Sequence, residues 1–375
     1  MHSNVRALAF ALLVAVAARA EDSDPELAPA SYQRVRPAAE GAQWPRARGG
    51  HAMAYDSKRQ VAVLIDGYAF DQGGERAPYS EHWEWDGARW SFHGGGLGGR
   101  YGHGLVYDAG RDQLVAFGGA YSAYQIYGDT WVRGEDAMWV ERKLETAPSP
   151  RVGHAMVYAP SRGVTYVLGG WTEGQKEKKR SRKAASRFSR EFWQWDGNAW
   201  TKLKNPPKRL VGRSGHAMAW DPRSEQLLVY GGRGQEGLLS DLWTWDGKTW
   251  TRVLKDLDYD DARELTGKRP WRMENAWLAF QPTEQRLLLG PGSQGQGESP
   301  WAWELDGKRT RRLDSPYPNP FDRCEQSAVP FKGRLLLFGG SRFRLRGNER
   351  TYTVLDELWT LGAAAEADPA KQEGK

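Results

Sequence analysis

The chain has 375 residues, a formal net charge of +6, 19 Trp, 44 Gly and one Cys. A single thiol excludes an intramolecular disulfide and any multi-thiolate metal centre. Abundant Trp and Gly with few Leu-rich helical periods disfavour a helical enzyme and favour a β-rich repeat protein.

Residues 1–20, "MHSNVRALAFALLVAVAARA", place Arg6 ahead of an apolar run from Ala7 to Ala17 and end in Ala-Arg-Ala before Glu21. This is the layout of a secretory signal, with small residues Ala18 and Ala20 for the peptidase. The run is short for a bilayer span of about 20 residues, and no other stretch is expected to cross a membrane. Export to a periplasm or the extracellular medium is the expectation. The lack of an N-x-S/T sequon favours a bacterial setting, and residues 21–30 read as a short linker.

From there a phrase recurs. "RGGHAMAYD" (Arg48), "RYGHGLVYD" (Arg100), "RVGHAMVYA" (Arg151), "RSGHAMAWD" (Arg213), "RMENAWLAF" (Arg272) and "RCEQSAVPF" (Arg323) open six units. Each is followed by an apolar run ending in small residues, with Gly-Gly doublets at Gly118–Gly119, Gly169–Gly170, Gly231–Gly232 and Gly339–Gly340. A Trp-bearing segment closes each unit, as in "HWEWDGARW" and "DLWTWDGKTW". Two Trp at i and i+2 share one face of a strand, and Asp-Gly supplies positive-φ residues for a tight hairpin turn. Four short strands per unit at a period near fifty predict an all-β fold, a six-bladed β-propeller with four-stranded antiparallel blades.

With Arg-x-Gly-His, the Gly-Gly doublet and the spaced Trp pair in phase, the chain resembles the kelch-repeat family from about residue 32 to 361. Unit five loses Gly-His and carries Gly-Pro-Gly, and unit six loses Gly-His. The resemblance implies a kelch-type propeller forming a single domain over residues 31–361. Unit six lacks a fourth strand, but "SYQRVRP" (Ser31–Pro37) parallels "WTKLKNP" of unit three, with Tyr32 in the place of Trp200. This N-terminal segment is therefore expected to close the last blade and hide its open edge. The tail 362–375 reads as disordered.

His51, His103, His154 and His216 recur in phase, so they are expected to serve the blades by bonding a neighbouring carbonyl or carboxylate. Equivalent positions around a ring are too far apart to share one ion with bonds near ~2.1 Å. Neither a metal nor another cofactor is expected. Galactose oxidase, a kelch-type copper enzyme, needs a Tyr–Cys cross-link and His ligands. Cys324 has no companion Tyr-His pattern, which argues against that chemistry. "DYDD" (Asp258–Asp261) lacks the Gly and distal Glu of a calcium loop and reads as a solvated linker.

Loops joining strands one to two and three to four are uniformly short; those joining two to three, and the inter-blade linkers, vary in length. Function on a rigid scaffold sits where loops vary, so the long-loop face is the expected binding surface. Tyr121, Tyr124, Tyr127 and Trp171 offer flat rings to a sugar or peptide, and Arg233 and Arg342, after the doublets of units four and six, offer guanidinium forks to an anionic group. The basic stretch Lys176–Arg190 fits an anionic partner or a solvated loop. Nucleic acid is disfavoured in an exported chain without a recognised motif. The expected protein is a monomer that binds a protein, glycan or envelope component without catalysis. The alternative, implied by resemblance to exported kelch-type sialic acid mutarotases, is a metal-independent carbohydrate-active enzyme using residues such as Glu75, Arg233, Glu236 and Arg342.

Overall fold

The computed structural model describes residues 32–37, 41–134, 138–172, 188–255, 272–294, 302–306, 309–313, 321–346 and 349–362. The expected signal and linker over 1–30, most of the basic stretch Lys176–Arg190, the Asp258–Asp261 run and the tail after Gly362 lie outside the described residues.

Six four-stranded antiparallel sheets form a β-propeller. Blade 1 runs Ala52–Asp56, Val61–Ile65, His82–Trp85 and Trp90–Phe92 from the axis outward; blade 2 runs Gly104–Asp108, Gln113–Phe117, Thr130–Arg133 and Trp139–Arg142. Blades 3, 4 and 5 begin on Ala155–Ala159, Ala217–Asp221 and Leu278–Gln281. Blade 6 takes Ser327–Phe331, Arg334–Phe338 and Leu358–Leu361 from the C-terminal end, and its outer strand is Tyr32–Val35. Tyr32 pairs with Leu361 and Val35 with Leu358, and the Tyr32 ring packs against Trp359 at 5.9 Å and Phe321 at 6.0 Å. The chain's beginning therefore seals its end, as expected. Innermost strands of successive blades touch all the way round, blade 6 to blade 1 included.

The Trp pairs explain how blades adhere. Trp83 and Trp85, with Trp90 from the next strand, pack on Leu336, Phe338 and Leu358 of blade 6. Trp193, Trp195 and Trp200 pack on Val115, Phe117 and Val132 of blade 2. Indoles at i and i+2 thus face the preceding blade and bury large apolar areas there. The Asp-Gly connections differ from the expected two-residue turn. Trp85 pairs with Trp90, leaving four residues between the strands, and of Asp86 and Gly87 only Gly87 has positive φ (108°). The Asp86 carboxylate instead accepts from the backbone N–H of Ala88 (2.7 Å) and Arg89 (2.9 Å), the side-chain turn geometry that Asp favours.

The opening Arg of the phrase is buried in five blades, and it builds a repeated network. Arg213 donates to the Gly231 carbonyl at 2.9 Å and pairs twice with Asp241, at 2.7 and 2.8 Å. Asp241 also accepts from Trp243 Nε1 at 2.7 Å. The same Arg–carboxylate–Trp set recurs as Arg48–Glu81–Trp83, Arg100–Asp129–Trp131, Arg151–Glu191–Trp193 and Arg323–Glu357–Trp359. Blade 5 departs. Its register places Met273, not Arg272, in the Arg position, because the Met273 carbonyl accepts from Gly232 N as the Arg213 carbonyl does from Gly170 N. The residue two before Trp303 in sequence, where the carboxylate belongs, is Trp301, and Trp303 Nε1 has no partner. Both charges of the pair have been lost together, which avoids the buried unpaired ion that losing one would leave.

Candidate functional site at the channel mouth

The site is built on a backbone ring. Gly50, Gly102, Gly153, Gly215, Asn275 and Glu325 all adopt left-handed φ, from 55° to 65°. Each N–H from Gly102 to Glu325 donates to the carbonyl of its predecessor around the axis, at 2.6–2.9 Å. Gly in the repeated phrase is thus a conformational requirement in four blades. Asn, which tolerates this region, takes the fifth place, and Glu, which does not favour it, takes the sixth. Beside the ring, the residue before each of these positions bridges the residue that follows the turn residues ending the adjacent, second strand of the blade. The bridges are Gly49–Tyr68, Tyr101–Ala120, Val152–Trp171, Ser214–Arg233, Glu274–Ser293 and Cys324–Ser341. A constant backbone thereby presents variable side chains around one opening.

That opening is a cavity of about 510 Å³ on the long-loop face, whose walls include Arg76, Tyr101, Trp171, Glu274, Asn275 and Glu325. Glu325 is the most engaged group. Its Oε2 accepts from the Tyr68 hydroxyl and from Ser341 Oγ (3.1 Å), and its Oε1 accepts from Arg76 at 3.3 Å. Arg76 lies over the rings of Tyr68 (4.7 Å) and Tyr101 (4.9 Å). Burial opposes its charge, but Glu325 and the two phenols outweigh that and hold the guanidinium firmly protonated. Burial, then the Glu325 charge, pushes the Tyr68 phenol far up, so its proton stays on. Gly49 makes this arrangement possible, since a Cβ there would sit 2.8 Å from Glu325 Oε2.

Deeper in the channel stand the four repeated histidines, which also line the cavity. Neither ring nitrogen of any of them meets a partner in full hydrogen-bond geometry; of the bonding expected from sequence, only His51 and His154 have backbone carbonyls acting on the ring. The Phe338 carbonyl beside His51, and the Phe117 and Arg151 carbonyls beside His154, favour the protonated ring, but less than burial opposes it. The rings pack edge-on against Phe338 (5.6 Å) and Phe117 (5.3 Å) of the preceding blade. Burial, reinforced by the neighbouring Arg, lowers His51 and His154 to about 3, and drives His103 and His216 well down too. These are neutral packing groups at neutral pH. In blade 6 Gln326 takes the histidine's place and accepts from Trp277 Nε1 at 3.1 Å. No group of three metal-ligating side chains occurs among the described residues.

Among the residues singled out from sequence, Trp171 lies in the cavity wall. Arg233 sits at the rim with its fork occupied by Glu274, at 2.6–3.0 Å. Arg342 is engaged with Asp322 at 2.7 Å; Ser341, not Arg342, occupies the place equivalent to Arg233. Tyr124 is 92% exposed and Tyr121 46% exposed, both outside the cavity wall. Tyr127 lies under Arg100, 4.2 Å from its ring centre. Glu75 and Glu236 are exposed at hairpin tips. Sequence reasoning missed Arg76, Glu325, Asn275, Glu274, Tyr68 and Tyr101. Asn275 and Glu325 carried a readable signal, because they interrupt the one position that is otherwise Gly.

No family model matches the chain. Of solved structures, YjhT superposes with a TM-score of 0.61 at 14% identity, covering 86% of this chain and 99% of that one. At that identity the likeness is one of fold. A 143-residue stretch, 36% of this chain, is 26% identical to Mei4-dependent protein 6 of Schizosaccharomyces pombe, of which it spans only 20%. Fold similarity carries no chemistry by itself, so function rests on the site.

Proposed function

We propose that this is an exported kelch-repeat propeller that binds carbohydrate in the channel mouth, as a monomer and without a cofactor. The in-phase Arg-x-Gly-His and Gly-Gly phrases support the kelch assignment, and the grammar of residues 1–20 supports export. One observation carries the ligand class: donors and acceptors alternate around a cavity of about 510 Å³ with aromatic walls. Arg76 stands beside Glu325, Arg233 beside Glu274, and Asn275 supplies both roles. Sugar hydroxyls both donate and accept, while their C–H faces lie on rings such as Trp171 and Tyr101. Among the described residues, Arg76 in the wall and Arg233 at the rim are each balanced by a carboxylate, which favours a neutral polyol over a polyanion. Pockets of this size, partly apolar with a few convergent polar groups, are the usual small-molecule sites.

Saturation-transfer NMR against a panel of mono- and oligosaccharides tests this. Binding should occur and weaken roughly tenfold in Trp171→Ala and in Glu325→Gln, the loss of one buried contact worth ~1.4 kcal/mol. Absence of any sugar binding, or binding indifferent to both changes, overturns the reading. Export is tested by expressing the full chain in a bacterial host; a secreted protein beginning at Glu21 is expected, and an uncleaved cytoplasmic one discards it.

A second reading, acid–base interconversion of a reducing sugar, is favoured by Glu325 alone, a carboxylate held at the cavity wall by Tyr68, Ser341 and Arg76. This is how a general base is positioned. Exchange NMR decides: anomeric exchange accelerated by the protein and lost in Glu325→Gln replaces the binding reading with the enzymatic one.

A further inference from the structure

The cavity continues onto an aromatic path that the small site alone does not account for. Three of the long loops fold into hairpins of their own, among them Tyr68–Phe70 with Arg76–Pro78 in blade 1 and Ser341–Arg346 with Glu349–Val354 in blade 6. Phe70 is the cross-strand neighbour of Arg76, the cation in the cavity wall. From Phe70 the path crosses between blades to Tyr352 at 5.6 Å and then to Phe343 at 5.0 Å. On its inner side Phe70 meets Tyr68 at 5.3 Å, and Tyr68 meets Tyr101 of the cavity wall at 5.4 Å. Five rings thus run in unbroken contact from cavity wall to outer rim. Tyr68, the link behind the cavity wall, is buried at 1% exposure, Tyr101, Phe70 and Phe343 are half-buried, and Tyr352 is 52% exposed.

A hairpin needs no half-exposed ring at its outer edge to hold its register, because cross-strand pairing already sets it. An aromatic shelf leading out of a polar cavity matches a ligand whose successive units repeat the same chemistry, one apolar face and a rim of hydroxyls each. At the junction itself Arg76 is paired with Glu325.

We infer that the ligand is an oligosaccharide chain: one unit occupies the channel mouth, and following units lie over Phe70, Tyr352 and Phe343. This rests on the carbohydrate reading above. It adds that affinity grows with chain length and that the outer rings, not the cavity, supply the increment.

The test is a glycan array printed with mono- to hexasaccharides of several linkage classes, probed with the full chain, Tyr352→Ala, Tyr352→Phe and Phe343→Ala. Signal should rise from mono- to trisaccharide within the bound class. Tyr352→Ala should cut the longer ligands by roughly five- to tenfold, the usual worth of one stacked ring, and leave the monosaccharide unchanged. Tyr352→Phe, which keeps the ring, should retain the length effect; because Tyr352 is half exposed, its variants can be compared at equal folded content by thermal melting. Monosaccharide binding with no dependence on length, or a length effect indifferent to Tyr352→Ala and Phe343→Ala, overturns the extended subsite and leaves the cavity reading standing. No binding of any sugar overturns the cavity reading as well.

Discussion

Blades 1 to 4 and blades 5 to 6 obey the same geometry with different residues. In the first four, the left-handed ring position is Gly, the next residue is His, and the Arg–carboxylate–Trp network is complete. In the last two, the ring positions are Asn275 and Glu325, the histidines are replaced by Ala276 and Gln326, and the sequence of blade 5 carries Met273 and Trp301 where the others carry the buried ion pair. The backbone hydrogen bonds run through Asn275 and on to Glu325 N as they run from Gly to Gly, and the run ends at Glu325, whose carbonyl receives no bond from Gly50 N. Constraint therefore resides in the main chain, and side chains are free to change wherever they face the opening. At the ring position the departures from Gly bring an amide and a carboxylate to the opening, while Arg76, Tyr101 and Trp171 reach it from blades that keep the repeat.

The sharpest way to break that contrast is to impose blade 5's loss on blade 4 one half at a time. Arg213→Met leaves Asp241 buried with its partner gone and should cost about 3–5 kcal/mol, read as a large fall in denaturant midpoint. Adding Asp241→Leu should recover much of it, because the second unpaired group is then removed too. If the double variant is as unstable as the sum of its singles, the coupled loss in blade 5 has another cause.

Removing residues 31–37 strips blade 6 of its outer strand and uncovers Trp359 and Phe321. The expected loss is on the order of 3 kcal/mol, from the apolar burial of Tyr32 and Val35 alone. Truncation after Gly362 should change little. Equal effects of the two deletions would contradict closure by the N-terminal strand.

Acid should separate the two regions as well. His51 and His154 sit at about 3 in the folded chain, below the ordinary imidazole value of 6.5. The unfolded chain therefore binds their protons first, and the stability they confer is full above pH 6.5 and drains away as pH falls toward 3. Each such histidine should cost on the order of 2 kcal/mol at about pH 5. Glu191, where hydrogen bonds from Lys202 and Arg151 overcome burial, sits at about 2 and adds a further loss below pH 4.5. Asp66, raised by burial to about 7, runs the other way between about pH 4 and 7. Substituting His154→Gln, the residue type blade 6 uses, should flatten the melting temperature between about pH 7 and 5; an unchanged slope would falsify the assignment of that slope to the buried imidazoles.

How much of this the sequence shows follows from the same division. Periodicity is a property of the main chain repeated many times, so the blade count, the Trp faces and the closure by Tyr32–Val35 could all be read from it. The site could not, because Arg76 and Tyr68 reach the mouth through a hairpin inside a loop, where no period operates. Glu325 lies 249 residues from Arg76, and only the closing of blade 6 onto blade 1 brings them together. Exposure misled in the other direction: Tyr121 and Tyr124 are conspicuous in the sequence yet stand outside the cavity, and the guanidinium of Arg233 already has its carboxylate. Unit five reads one residue out of register from sequence, because Arg272 mimics a position that Met273 fills.

Glu325→Gly is the variant that isolates the contrast most finely, since it restores to blade 6 the residue that blades 1 to 4 use. Two stability effects oppose each other. Releasing a bulky residue from φ 55° recovers about 1 kcal/mol, whereas the buried Tyr68 hydroxyl loses its acceptor, at a cost of about 1–3 kcal/mol. The net change should be small, from neutral to about 2 kcal/mol destabilising. Ligand binding should nevertheless fall at least as far as in Glu325→Gln, because Arg76 loses its partner and the mouth its balanced charge. A variant that melts near the parent temperature but no longer holds sugar would show that Glu325 is kept against the conformational preference of its own backbone for what it offers the opening; one that binds unchanged would make the carboxylate a strut for Tyr68 and nothing more.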